Sequence, residues 1–184
     1  MATIHRTTMA PTKLELLAGW LPQQPWWRGG ARSPELTRAG GFRLDDPEGA
    51  VGIEFLFVTD GEQLTYHVPL SYRGASLEGA DPALLGTSEH GVLGRRWVYD
   101  GAHDPVVTAA LDAFVHGRIE AQQQSTSDTV DPSVTVSGTP GTVVEVLRVL
   151  GGRPPADGRV TGQVEAGWTR PDGTTARGAV ALLR

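Results

Sequence analysis

Several groups of side chains in this 184-residue sequence are of types that could do chemistry. His90 and His103, with Glu89, Asp104 and His116 close by in the chain, offer the imidazole and carboxylate donors of a zinc-type site. No H-x-x-x-H spacing sets two imidazoles on one helical face, and Asp104 is better explained as a helix cap, so no metal is expected. Ser88-Glu89-His90 contains the letters of a nucleophile, an acid and a base. Adjacent residues of an extended segment point to opposite faces, however, and there is no G-x-S-x-G elbow. Asp45-Asp46-Pro47-Glu48-Gly49 is the densest acidic cluster, and its Pro and Gly make it a solvated turn rather than an acid–base pair. Gly138-Thr139-Pro140-Gly141 could cradle phosphate, but it lacks the Gly-Lys-Ser/Thr ending and Pro140 removes a donor, which favours a hairpin turn.

Arginines beside aromatic rings form a further group. Arg95 and Arg96 precede Trp97 and Tyr99 on one expected strand, where they could hold a sugar or an anion or form a structural cation–π and salt-bridge lattice. Trp20, Trp26 and Trp27 pose the same choice, and core packing or a partner interface is the stronger use for them. Fifteen arginines accompany a single lysine, Lys13, so a lysine clamp on ATP phosphates has one candidate, and it is poorly placed.

These residues must be positioned by the following elements. Pro11 and Thr12 introduce a short helix over 13–20, with Leu14, Leu17 and Trp20 at helical spacing and Pro22 ending it. Val51, Ile53, Phe55 and Phe57 alternate on a strand to Thr59, Asp60-Gly61 turns the chain, and Leu64, Tyr66, Val68 and Leu70 alternate again to Tyr72. A third strand is expected from Val92 to Tyr99, ending at Asp100-Gly101. Asp104 then caps the best helix of the chain, with Pro105 at its first position and Val107, Ala110, Leu111, Phe114, Val115 and Ile119 along one face through to Gln124. Residues 125–132 read as a Ser/Thr/Asp linker. Four β segments follow, at 134–137, 143–150, 159–168 and 174–183, the last two joined through Pro171-Asp172-Gly173.

Bulk properties narrow the function classes. The 39% apolar and 20% charged content is that of an ordinary globular domain, and the length suffices for a real core. A net charge of −5 gives no footprint for nucleic acid or an anionic membrane surface. With no cysteine, there are no disulfides, thiolate zinc sites or Cys nucleophiles, and a cytoplasmic location is the natural expectation. Neither a signal-peptide pattern at the start nor a membrane-length apolar run is seen.

Trp20-Leu21-Pro22, Trp26-Trp27, the run Tyr66-His67-Val68-Pro69-Leu70-Ser71-Tyr72-Arg73, Leu85-Gly86-Thr87, the run Leu93-Gly94-Arg95-Arg96-Trp97-Val98-Tyr99-Asp100-Gly101 and His103-Asp104-Pro105 together resemble, in order and spacing, the N-terminal cap of bacterial maltokinases. The resemblance implies an α+β fold, a curved antiparallel sheet packed against a long helix (a cystatin-like cap), over residues 1–122. Residues 123–184 would be a β-rich extension with additional C-terminal antiparallel strands, continuing the same sheet or standing as a vestige of a kinase N-lobe. In the family the cap sits on an aminoglycoside-phosphotransferase-like kinase that makes maltose 1-phosphate from ATP and maltose. Here Glu145 falls about where the ATP-holding lysine is expected, and no catalytic-loop Asp and Asn or magnesium-binding Asp motif follows.

The expectation is therefore a non-catalytic accessory or interaction module linked to maltose, trehalose and α-glucan metabolism, without cofactor. A small-ligand domain for a sugar, sugar phosphate or nucleotide, or a regulatory subunit of a sugar kinase, are the alternatives. Partners would be a sugar kinase, a glucan-metabolising enzyme or a second copy, with no nucleic acid and no membrane. The candidate contact or ligand surface comprises Trp26, Trp27, Arg28, His67, Tyr72, Arg73, Arg95, Arg96 and Trp97.

Overall fold

The computed structural model describes residues 8–30, 33–61, 64–141, 144–152 and 159–184. Helix α1 (Lys13–Trp20) opens at Thr12, whose hydroxyl accepts from the Glu15 amide while the Glu15 carboxylate accepts from the Thr12 amide, a reciprocal capping box. Eight residues are too few for a helix to persist alone in water, so its stability comes from burying Leu17 and Trp20. A 3-10 turn, Leu21–Gln23, with Pro22 inside it, ends the run.

The main sheet is antiparallel and curled. Its strands are β1 (Met9–Ala10), β2 (Thr37–Asp45), β3 (Gly52–Thr59), β4 (Thr65–Arg73), β5 (Leu84–His90), β6 (Gly94–Asp100) and β7 (Gln122–Gln123), in the order β1-β5-β6-β4-β3-β2-β7. The expected hairpin is present as β3 and β4, with Leu56 opposite Val68 and Phe57 opposite His67. Alternation sends Ile53, Phe55 and Phe57 into one core and Leu56 and Val58 into another, so β3 is buried on both faces. The second of these cores is covered by α1 and the Trp26-Trp27 segment.

Helix α2 (Pro105–Val115) closes the first core with Val107, Ala110, Leu111, Phe114 and Val115. It begins as expected, with Asp104 accepting from the Val106 amide and Pro105 at the first position. It is not the long helix expected: at eleven residues it stops well short of Gln124. The cause is Gly117, whose φ of 67° lets the chain reverse, with Gly117 N–H bonding Phe114 C=O and Arg118 N–H bonding Ala113 C=O. Ile119 still reaches the core, from the reversed chain.

The remaining strands are β8 (Thr135–Gly138), β9 (Val144–Val146), β10 (Val149–Leu150), β11 (Gly162–Thr169) and β12 (Thr175–Leu183). They form a second sheet in the order β8-β11-β12-β9, while β10 joins β4 of the main sheet through Val149–Tyr66 and Leu150–Thr65. Val164, Ala166, Trp168, Val180 and Leu183 share the core of Phe42, Phe55 and Phe57, so the C-terminal segment and α2 cover one face of the main sheet together. Gly138 to Gly141 is not a hairpin turn, because β8 and β9 lie on opposite edges of their sheet. Val143, the expected start of a strand, lies outside the described residues.

Four strands arise where no strand was expected: the two-residue β1 and β7, and the longer β2 and β5. β2 carries Gly40 and Gly41, and at Gly41 (φ 140°) a Cβ would stand 2.3 Å from the Phe55 carbonyl oxygen, so only glycine lets β2 lie this close to β3. β5 pairs with β6 as a hairpin whose tip is Gly91-Val92-Leu93, so the expected third strand starts at Gly94 rather than Val92.

Candidate functional site

The nine expected surface residues do not converge on one point. Trp26 and Trp27 are half-buried over β4: Trp27 stacks on Tyr66 at 4.6 Å, and Trp26 meets Trp20 edge-on at 5.8 Å. The Trp27 Nε1–H donates to the Gly30 carbonyl at 3.2 Å, and the neighbouring Arg28 is exposed. The Arg148 guanidinium lies over the Trp26 ring at 5.1 Å and donates twice to the buried Asp100 carboxylate, at 3.0 and 2.7 Å. These indoles therefore hold α1, the main sheet and the 144–150 segment together.

His67 is fully buried on the other face of β4, its ring against Phe55 and Phe57. Its Nδ1 lies 3.1 Å from the Leu147 carbonyl oxygen and 3.2 Å from that of Val180. Both partners are acceptors, so Nδ1 carries the proton and donates. Burial, with the nearby Arg148 cation, pushes the imidazole down to about 3, and the ring is neutral at ordinary pH. His67 is a stitch between the sheets rather than a ligand group.

Tyr72 and Arg73 follow on the same strand and are also committed. Buried Glu54 accepts from the Tyr72 hydroxyl at 2.6 Å and from Lys13 Nζ and Gln124 Nε2 at 2.5 Å each. Burial opposes charge on Glu54, but the Lys13 ammonium and these hydrogen bonds outweigh it and hold the carboxyl below its usual range. Burial and the Glu54 charge push the Tyr72 phenol well up. The one lysine of the chain is thus a structural counter-ion. Arg73 donates to both oxygens of Asp104, at 2.6 Å each, which ties the end of β4 to the start of α2.

Arg95, Arg96 and Trp97 lie on β6. Period-2 alternation points Arg95 and Trp97 to one face and Arg96 to the other, so the two guanidiniums do not clamp one anion. Arg95 pairs with Glu89 across the hairpin at 2.8 Å, both side chains being largely exposed. Arg96 Nη2 donates to the Leu93 carbonyl at 2.5 Å.

The remaining sequence candidates also have structural partners. Ser88 Oγ donates to the Pro11 carbonyl at 2.7 Å, and His116 Nδ1 lies 2.9 Å from the Asp112 carbonyl oxygen. His90 Nδ1 accepts from the amides of Val92 and Leu93 at 3.3 and 3.0 Å. Among the described residues no group of three His, Asp or Glu side chains gathers closely enough to hold a metal ion.

Those His90 contacts expose what residue-type reasoning missed. Val92 is 63% exposed and Leu93 47% exposed, yet the tip carrying them is fixed by the His90 ring, by Arg96 and by the Gly91 amide on the Thr8 carbonyl. A V-L pair between glycines reads in sequence as strand, not as a presented contact. Its exposure depends on β5, whose weak alternation gives no signal.

The fold defines a class: a curled antiparallel β domain closed by two short helices, with an apolar hairpin tip held out to solvent. Residues 20–104 match the family model of the maltokinase N-terminal cap domain, and that part of the chain is similar to such a cap. No curated protein matches the chain. No helix among the described residues is long and apolar enough to cross a membrane.

Proposed function

We propose that this protein is a non-catalytic cap module that docks through its β5–β6 hairpin onto a protein of α-glucan or trehalose metabolism, in the first place a sugar kinase, and works in the cytoplasm. The observation that carries the reading is the held, exposed Val92-Leu93 tip. Adjacent apolar side chains on a preorganised turn lose little entropy on binding, so their burial contributes to affinity almost undiminished. Arg95 and Arg96 behind the tip suit an apolar pocket with an acidic rim. The commitment of Lys13 to Glu54 supports a role without phosphoryl transfer.

Calorimetry of the chain against a maltokinase catalytic region stripped of its own cap tests this directly. Saturable binding is expected, weakened about 100-fold by the double variant Val92→Asp/Leu93→Asp, since burying the two side chains contributes roughly 3 kcal/mol. A flat titration, or binding indifferent to the double variant, overturns the reading. Turnover of ATP with maltose by the chain alone would overturn its non-catalytic half.

A further inference from the structure

A separate place on the molecule, away from the hairpin tip, has the chemistry of a small-ligand site. A cavity of about 380 Å³, open to solvent on one side, lies where three segments meet: the end of α1 with the turn after it, the loop 77–83, and the junction of β6 with α2. Its volume is at the small end of the range for ligand sites. Trp20 and Pro105 supply apolar wall, and Gln24, Glu78, Asp100 and His103 supply polar groups.

We propose that this cavity binds a neutral polyhydroxylated ring of about monosaccharide size. The walls are fixed before any ligand arrives. The Tyr99 hydroxyl accepts the Leu77 amide at 2.8 Å and anchors the loop, while Arg148 clamps Asp100 from behind by its two hydrogen bonds. Asp100 Oδ2 stands 3.7 Å from His103 Nε2, too far for a direct hydrogen bond. A hydroxyl oxygen about 2.8 Å from each would bridge them, donating to the carboxylate and accepting from the imidazole N–H. The Gln24 amide and the Glu78 carboxylate can meet further hydroxyls around the same ring.

Charge and shape separate this class from the alternatives. Arg148 already neutralises Asp100, so Glu78 leaves the cavity weakly acidic, which opposes phosphates and nucleotides. A quaternary ammonium calls for a cage of aromatic faces, and here a single indole, 7% exposed, lines the wall. A half-open cavity of this size leaves one face of a sugar ring in water, so the affinity expected is near millimolar.

The test is a titration of the isotope-labelled full chain, read from its amide resonances, with glucose, maltose, inorganic phosphate and choline as separate probes. Saturable shifts from glucose or maltose are expected at residues 20–24, 77–83 and 100–105. Glu78→Gln and His103→Ala, both at exposed side chains, should each weaken binding about five-fold without loss of fold, and Val92→Asp/Leu93→Asp should leave it unchanged. The proposal is overturned if neither sugar moves these resonances, if the shifts fall elsewhere, if both cavity variants bind as the parent does, or if phosphate or choline binds more tightly than the sugars. Loss of the protein contact would leave this result untouched, so the two readings fail separately.

Discussion

Arg148→Ala removes the guanidinium that lies between the Asp100 carboxylate and the Trp26 ring, a contact 48 residues long in sequence. The Asp100 side chain is 3% exposed and that of Arg148 15%, so the pair is a nearly buried one. Stripping one partner from a buried pair costs about 3–5 kcal/mol, because the other charge is left without compensation. Water can follow into the space that Arg148 leaves, which favours the lower end. The lost cation–π contact adds about 1 kcal/mol, giving roughly 4 kcal/mol in total. For a domain of this size that is a fall in Tm of about 8–16 °C. Urea unfolding at neutral pH, followed by tryptophan fluorescence with matched m-values, reads the difference. Arg95→Ala is the comparison: its pair with Glu89 is 62% and 59% exposed, so its loss should cost no more than about 1 kcal/mol. If Arg148→Ala destabilises no more than Arg95→Ala, the Arg148 clamp is not what holds the 144–150 segment to the sheet.

Acid should weaken the fold through His67. Its folded-state pKa of about 3 lies below the ordinary 6.5, so the unfolded chain binds the proton first and stability falls as pH drops through that window. Between pH 7.5 and 5 the loss should be on the order of 2 kcal/mol in urea titrations, and His67→Gln should flatten the slope; an equal slope in both proteins refutes the assignment. Gly41→Ala forces a Cβ toward the Phe55 carbonyl at a φ of 140°, and should cost about 2 kcal/mol or more by thermal unfolding, whereas a neutral effect would mean that β2 moves aside freely.

Local signals made part of this fold legible. Thr12 with Glu15 three residues on marks the start of α1, and Asp104-Pro105 marks the start of α2. Alternating apolar residues on either side of Asp60-Gly61 mark the β3–β4 hairpin. Gly117 also stood in view as a stop for α2, but Ile119 continues the apolar spacing past it and hides the reversal. Strand β2 escaped because Arg38, Gly40, Gly41 and Arg43 give it no alternation; it is a strand because β3 needs a partner on that edge. The site contacts were less legible still. Nothing local pairs Glu54 with Lys13 41 residues earlier or Gln124 70 residues later, and nothing local brings Leu147 and Val180 to His67. Those contacts form only once the two sheets have packed. Of the nine surface candidates, the strand and indole residues are spent largely on that packing, while the exposed tip beside Arg95 and Arg96 came from a hairpin that composition did not announce.

The most direct test of the central claim is hydrogen–deuterium exchange of the chain, free and mixed with a maltokinase catalytic region lacking its own cap. The Val92 and Leu93 amides, both donating to His90 Nδ1, should exchange slowly for an exposed turn in the free chain, and residues 90–96 should slow further in the mixture. Unchanged exchange at 90–96, or protection gathered instead over another face of the molecule, would contradict it.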